Sequence, residues 1–226
     1  FLTTPISSLL GGYSESNKAE MNFQALFSHH AGIQPWLPFY RNTLRDNTDI
    51  PSKKLYRKKQ NKRHKVQVTD DLFLRTKYQE EMKEEIVDSP LLDSIYYKYS
   101  DLPFYMFKEY IEGRYGQRMD MLVEKEYYQP IGASSLGYLP LNEVNVDQIV
   151  PSEIDDYYRH TEIQGYVHDM GAAMQNGVGG HAGLFSNSND VAKMMQMFMQ
   201  GGSYGGRSFF SPSTVSHFNN RYYKSE

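Results

Sequence analysis

The stretch "YYKYSDLPFYMFKEYIEG", residues 96–113, joins a polar triplet, Tyr99-Ser100-Asp101, to an apolar stripe at helical spacing. Phe104, Phe107 and Ile111 recur at i, i+3 and i+7, which puts them on one face of a helix over 102–112. Pro103 suits the first turn, where its missing N–H is no loss, and Gly113 reads as the stop. Tyr99 is then either a packing residue ahead of the helix or one half of a catalytic pair.

Outward from this stretch the pattern is mostly helical. Residues 76–92 form an amphipathic helix halted before Pro90, and a helix beginning near Met119 is closed by Pro130 and Gly132. A last helix over 190–200 carries Val191, Met194, Met195, Phe198 and Met199 on one face; Asn187 with Asp190 resembles a capping box, and Gly201-Gly202 end it. Residues 1–20 read as loop, and a short helix within 20–40 breaks at Gly32 ahead of Pro35 and Pro38. Between Lys53 and Lys65 lie eight lysines and arginines, followed by Val66 and Val68 alternating with polar residues. This predicts a basic β-hairpin over about 53–75, turning near Gln60-Asn61. Residues 133–185 read as loop-rich. The fold class that follows is α+β, helix-rich, with one small hairpin and no βαβ alternation.

At 226 residues the chain is long enough to bury a sizeable core, and 39% hydrophobic with 23% charged residues is ordinary for a globular protein. A net charge of −3 gives no global attraction to polyanions, so nucleic acid is not an expected partner. The absence of cysteine excludes disulfides and thiolate metal sites. No apolar run approaches the roughly 20 residues of a membrane span. Nineteen tyrosines suit half-open grooves, where the ring is buried and the hydroxyl stays wet. The opening "FLTTPISS" has neither an initiator Met nor a signal peptide, from which we expect a piece of a longer polypeptide.

Several motifs have plain readings. Gly201-Gly202-Ser203-Tyr204-Gly205 matches G-x-S-x-G, but it follows a helix where the nucleophile elbow requires a preceding strand, so it reads as a turn. His160, His168, Asp169 and His181 lack helical i, i+4 spacing, so no metal site or other cofactor is expected. The basic hairpin reads as solvated, since Asp70, Asp71 and a Glu-rich helix offset its field. "NGVGGHAGLFSNSND" (176–190) is more informative: its glycines allow close backbone approach, and a capped helix follows at once.

Together these segments resemble the serine β-lactamase-like hydrolases, the group holding class C β-lactamases, DD-peptidases and related esterases. "FQALFSHHAGI" (23–33) is similar to the family's "LLtHtSGl" segment. "YSDLPFYMFKEYIEGRYGQ" (99–117) is similar to its Tyr-x-Asn block, and "VHDMGAAMQNGVGGHAGLFSNSNDVAKMMQMFMQGG" (167–202) to its "GvaGHAGLfS" block. The resemblance implies the helical subdomain portion of the β-lactamase/penicillin-binding fold, one wall of an acyl-transfer site, across residues 1–226. It implies catalytic roles for Tyr99, the family's general base, and Asp101 at the amide position, with Ser100, Gly180, His181 and Gly183 lining the substrate.

Two departures qualify the transfer. Asp101 puts a carboxylate where the family has an amide, and an ionised carboxylate donates no hydrogen bond. No serine here has a lysine three positions on, and the H-x-G at His181-Ala182-Gly183 precedes a helix instead of sitting on a late strand. The isolated chain is therefore expected to be inactive, with Tyr99 protonated for want of a neighbouring cation. Its expected partners are the rest of the parent polypeptide, a glycoside hydrolase module being one candidate neighbour, and further copies of itself through exposed apolar surface. The expected location is periplasmic, cell-envelope or secreted. The competing readings are a non-catalytic glycan- or protein-binding module and a pseudoenzyme.

Overall fold

A computed structural model describes residues 1–223. Two short helices, α1 (Ile6–Leu9) and α2 (Phe23–Phe27), precede a three-stranded antiparallel sheet of β1 (Tyr56–Arg57), β2 (His64–Thr69) and β3 (Leu72–Arg75). Helices α3 (Tyr78–Asp88), α4 (Leu102–Tyr115) and α5 (Met119–Val123) follow, α5 running through a π turn (Glu124–Tyr128) into α6 (Gln129–Ile131). A hairpin of β4 (Glu153–Asp155) and β5 (Thr161–Ile163), then α7 (Met170–Ala173), α8 (Ser188–Met199), a hairpin of β6 (Ser203–Tyr204) and β7 (Arg207–Ser208), and α9 (Pro212–Phe218) complete the order. The architecture is the helix-rich α+β arrangement read from the sequence.

The main core gathers Ile6, Phe23, Leu26, Leu74, Ile86, Leu102, Met106 and Tyr158. A second, smaller cluster holds Ile131, Ala133, Leu136 and Met197. In α4 the buried residues are Leu102, Pro103 and Met106, while at the core's edge Phe104 stacks on Phe27 and Phe107 meets it edge-on. The helix runs past Gly113 and stops at Gly116, which adopts the left-handed conformation. Gly113 is tolerated because nothing lies near the position its Cβ would take. Before Pro130, the π turn supplies the room that the proline ring and its missing N–H require.

The sheet corrects the predicted hairpin. The strand order is β1-β3-β2, and the tight turn falls at Asp70-Asp71, between β2 and β3. A turn at Gln60-Asn61 would have set Lys58 and Lys59 opposite Arg63 and Lys62, and like charges directly across a ladder repel. The basic run instead forms the exposed loop between β1 and β2, its one ion pair among the described residues being Lys58 to Asp71 at 3.6 Å. The region read as loop-rich also contains β4–β5.

α8 starts at Ser188 with Asn187 accepting from the Asp190 N–H, as its sequence predicts. Asp190 does not complete the box; its carboxylate takes the Ser135 N–H and hydroxyl and pairs with Lys193. Only Met197 of this helix is a buried apolar residue, so the predicted stripe of Val191, Met195, Phe198 and Met199 lies open to solvent. Ser203 and Gly205 belong to the β6–β7 hairpin, whose Gly205 and Gly206 both have positive φ, so the G-x-S-x-G match is a turn.

Lys18 is fully buried beneath the C-terminus of α3, with Nζ donating to Asn17 Oδ1 (2.8 Å), Val87 O (3.1 Å) and Ser89 O (2.7 Å). Burial pushes its pKa down to about 8, against the attraction of Asp88. The unfolded state therefore holds more protons between about pH 8 and the unfolded lysine value of about 10.4, and stability rises with pH across that window. From about pH 9 the net sign reverses, because many tyrosines, Tyr56, Tyr78, Tyr128, Tyr138 and Tyr166 among them, are pushed up by burial and keep protons that the unfolded chain begins to give up. The unfolding free energy is expected to climb from about pH 7.5 to about 8.5 and to fall above about 9.5. A flat or falling profile between about pH 7.5 and about 8.5 in denaturant titrations would contradict the buried, proton-shedding Lys18.

Candidate functional site

The Tyr99-Ser100-Asp101 segment enters α4 pinned to residues 29–35. The Lys98 N–H donates to His29 O (2.9 Å) and the Asp101 N–H to Pro35 O (3.0 Å). Ser100 faces inward and is fully buried. Its hydroxyl donates to Gln34 O (2.7 Å) and accepts the Leu102 N–H (3.2 Å), capping the start of α4, so it holds the frame and does not face a substrate.

Tyr99 points outward, 53% exposed, with its phenol hydrogen-bonded to the Asp101 carboxylate. The His29 ring packs 4.5 Å from the Tyr99 ring. Partial burial, the Asp101 charge and the Asp101 hydrogen bond all push the phenol up, and among the described residues no cation opposes them. Burial also raises Asp101, with nearby His181 opposing and Asp169 adding to the rise. Among the described residues nothing lowers the phenol, so Tyr99 in this setting is a protonated hydrogen-bond donor and not a base.

Behind Asp101 stands a second pair. His181 Nε2 donates to Asp169 Oδ1 at 2.8 Å, and the imidazole stacks on Tyr105 of α4 at 4.5 Å and 20°. Burial pushes Asp169 up, but the His181 hydrogen bond and charge, with the Ala172 and Gly171 N–H groups, outweigh it and hold the carboxylate low. The same carboxylate caps α7 through the Ala172 N–H (2.7 Å). The glycines of this block serve contact: a Cβ on Gly180 would lie 2.3 Å from Phe104 O in the first turn of α4. On Gly183, with φ +110°, it would lie 2.3 Å from Gly177 O. Gly180 and His181 are thus packed against the turn that Asp101 opens, whereas Gly183 is buried beneath Tyr138.

The other histidines go elsewhere, His160 to Asp49 O (2.7 Å) and His168 to Glu153 (3.6 Å). Among the described residues no group of three or more His, Cys, Asp or Glu is placed to hold a metal ion. No helix among them is long and apolar enough to cross a membrane. A cleft of about 580 Å³ opens beside the site, lined by Phe27, His29, His30 and Tyr97 on one side and by Phe218 and Tyr223 on the other. Tyr99 and Asp101 lie outside its lining. Sequence reading missed His29 as a neighbour of Tyr99, and the one signal available was its place in the 23–33 segment.

No family model matches the chain. Among curated proteins, one from Escherichia coli O157:H7 named "Putative D-alanyl-D-alanine carboxypeptidase" is 36% identical over 132 residues, covering 53% of this chain and 30% of that protein. A protein of the same name from Salmonella agona is 33% identical over 135 residues, covering 54% and 31%. The matched stretch is thus under a third of these relatives' length. Among solved structures, the penicillin-binding protein of Bacillus halodurans superposes with a TM-score of 0.61 at 11% identity, over 100% of this chain and 59% of that one. The octameric penicillin-binding protein homologue of Pyrococcus abyssi gives 0.61 at 14% identity, over 96% and 42%. The chain carries the fold of the serine β-lactamase-like and penicillin-binding proteins.

Proposed function

We propose, from the β-lactamase/penicillin-binding fold that this chain carries, that it forms the tyrosine-bearing wall of a serine acyl-transfer site. The reaction is hydrolysis of an amide or ester, with peptidoglycan-type peptides, β-lactams and small esters as the substrate class. The observation that carries this reading is the exposed Tyr99 phenol on Asp101, with His181 and Gly180 packed against the same turn of α4. In this assignment Tyr99 is the base that takes the serine proton, Asp101 orients it, and Gly180 and His181 border the acyl group.

A base of this kind needs a lowered pKa, and the groups around Tyr99 push it the other way. A cation on a complementary part of the same fold would pair with Asp101, break its hold on the phenol and stabilise phenolate. The exposed apolar face of α8 and the exposed Tyr96 and Tyr97 are where we place the covering part. We assign the whole assembly to the cell envelope, in keeping with a peptidoglycan-type substrate.

Covalent catalysis needs a nucleophile and a base within hydrogen-bond reach, and no serine hydroxyl among the described residues bonds a lysine amine. The isolated chain is therefore expected to resist labelling by a fluorescent penicillin and by a fluorophosphonate, and to leave a nitrophenyl ester intact. Intact-mass spectrometry checks this directly. Stoichiometric acylation of a serine, with the hairpin's Ser203 the first to map, would show that the nucleophile lies within these residues.

A further inference from the structure

We propose that His29 is the positioning residue for Tyr99, clamping the backbone on both sides of it and packing an imidazole against its ring. The His29 carbonyl accepts the Lys98 N–H at 2.9 Å, and its Nδ1 accepts the Ser100 N–H at 3.2 Å. One residue thus takes the amide before and the amide after Tyr99, while its ring lies 4.5 Å from the phenol ring. To do so His29 adopts φ +57°, a left-handed conformation uncommon outside glycine and one that persists where surrounding structure demands it. Because Nδ1 accepts, the ring's single proton sits on Nε2.

The inference rests on the reading of Tyr99 as the base, because positioning matters for a group that must meet a proton at hydrogen-bond distance. With half its surface open, the side chain has Asp101 as its hydrogen-bond partner, so the backbone clamp fixes where the phenol stands. A displacement of 1 Å at such a group costs roughly a hundredfold in rate.

The clamp carries its own signature. An imidazolium has donors at both nitrogens, so protonation at Nδ1 turns an acceptor into a donor facing the Ser100 N–H. The titratable groups facing His29 are Asp101, which favours the imidazolium, His30, which disfavours it, and the Tyr97 and Tyr99 rings. Burial is the largest influence and holds His29 below its ordinary value of 6.5. The clamp is closed above that point and opens as pH falls through it.

The experiment is amide hydrogen exchange by NMR on this chain, comparing H29A, H29N and the unsubstituted protein. Asparagine keeps an acceptor oxygen near the Nδ1 position and tolerates positive φ. We expect H29A to speed Ser100 exchange about tenfold relative to amides in α3, as loss of one hydrogen bond implies, and H29N to recover most of it. In the unsubstituted chain, Ser100 protection, corrected for intrinsic rates, should fall in step with the His29 ring shift on acidification. This last measurement stands even if H29A does not fold. Ser100 protection that ignores both the alanine substitution and the His29 titration, or that asparagine does not restore, overturns the proposal. Exchange involves no chemistry at Tyr99, so its outcome is separate from the base assignment. That assignment fails instead if Y99F leaves full activity in a chain extended to include the nucleophile.

Discussion

Replacing Arg159 with methionine is expected to destabilise the chain by about 3–5 kcal/mol, roughly 10 °C in melting temperature, the cost of stranding a buried charge. The side chains of Arg159 and Asp155 are both fully buried, with Nε on Asp155 Oδ2 at 2.5 Å. The guanidinium also donates to Val167 O (2.7 Å), His168 O (2.7 Å) and Glu153 (2.9 Å), so one residue ties β4 to the segment that leads into α7. Asp155 in turn takes the Tyr158 N–H (2.8 Å), placing the Tyr158 hydroxyl 2.7 Å from that of Tyr56 in the sheet. Burial pushes Asp155 up, but Arg159 outweighs it and keeps the carboxylate low. Without the guanidinium, burial is opposed only by backbone N–H groups, that of Tyr158 among them, and the folded carboxylate rises from its low value. The variant's deficit should therefore shrink as pH falls from 7 towards 5, since its folded state takes up a proton more readily than the parent's does. Pairing R159M with D155N should recover part of the loss at pH 7. Urea titrations at the two pH values test both, and a deficit below 1 kcal/mol at pH 7 would mean the pair is not desolvated.

How much of this was legible in the sequence follows from which residues are local. The helices α3, α4 and α8 announce themselves because cap, stripe and stop lie within one or two turns of each other, as with Asn187 and the Gly201-Gly202 end of α8. Tyr99 and Asp101 sit two residues apart, so they could be read as one motif, although that spacing did not say that the phenol would meet the carboxylate. The β4–β5 hairpin could not: its strands have three residues each, Ile154 points to solvent, and its anchor is an ion pair that a sequence presents as surface charge. The hairpin turn was misplaced because alternation in Val66 and Val68 says that a strand exists without saying which neighbour it pairs with. The α8 stripe was read correctly as one face, but pattern alone does not say whether that face meets a core. His29 lies 71 residues from Ser100, and nothing in local spacing links them. Asp169 and His181, twelve residues apart, meet because α7 and the glycine turns fold the intervening chain back on itself.

The glycine block of residues 177–183 yields the second large effect. Alanine at Gly183 is expected to cost about 3 kcal/mol, combining the penalty of a positive φ with overpacking against main chain. The backbone there has φ +110°, and the new Cβ would stand 2.3 Å from Gly177 O and 3.2 Å from the Tyr138 ring. A carbonyl cannot swing aside as a side-chain tip can, so either the 177–183 turn opens or the chain loses the fold. Alanine at Gly180 presses on the Phe104 carbonyl and so on the first turn of α4. Its effect should therefore appear at Tyr99 and Asp101 as amide shift changes even where the fold survives. Gly113 is the control, because it lies inside α4 with nothing near its missing Cβ. There alanine should stabilise by about 0.5–1 kcal/mol, through helix propensity alone. Measured side by side in denaturant, the substitutions should move in opposite directions. A G183A variant as stable as G113A would show that the glycine block does not pack on its own backbone, and the wall that holds Asp101 beside His181 would lose its physical basis.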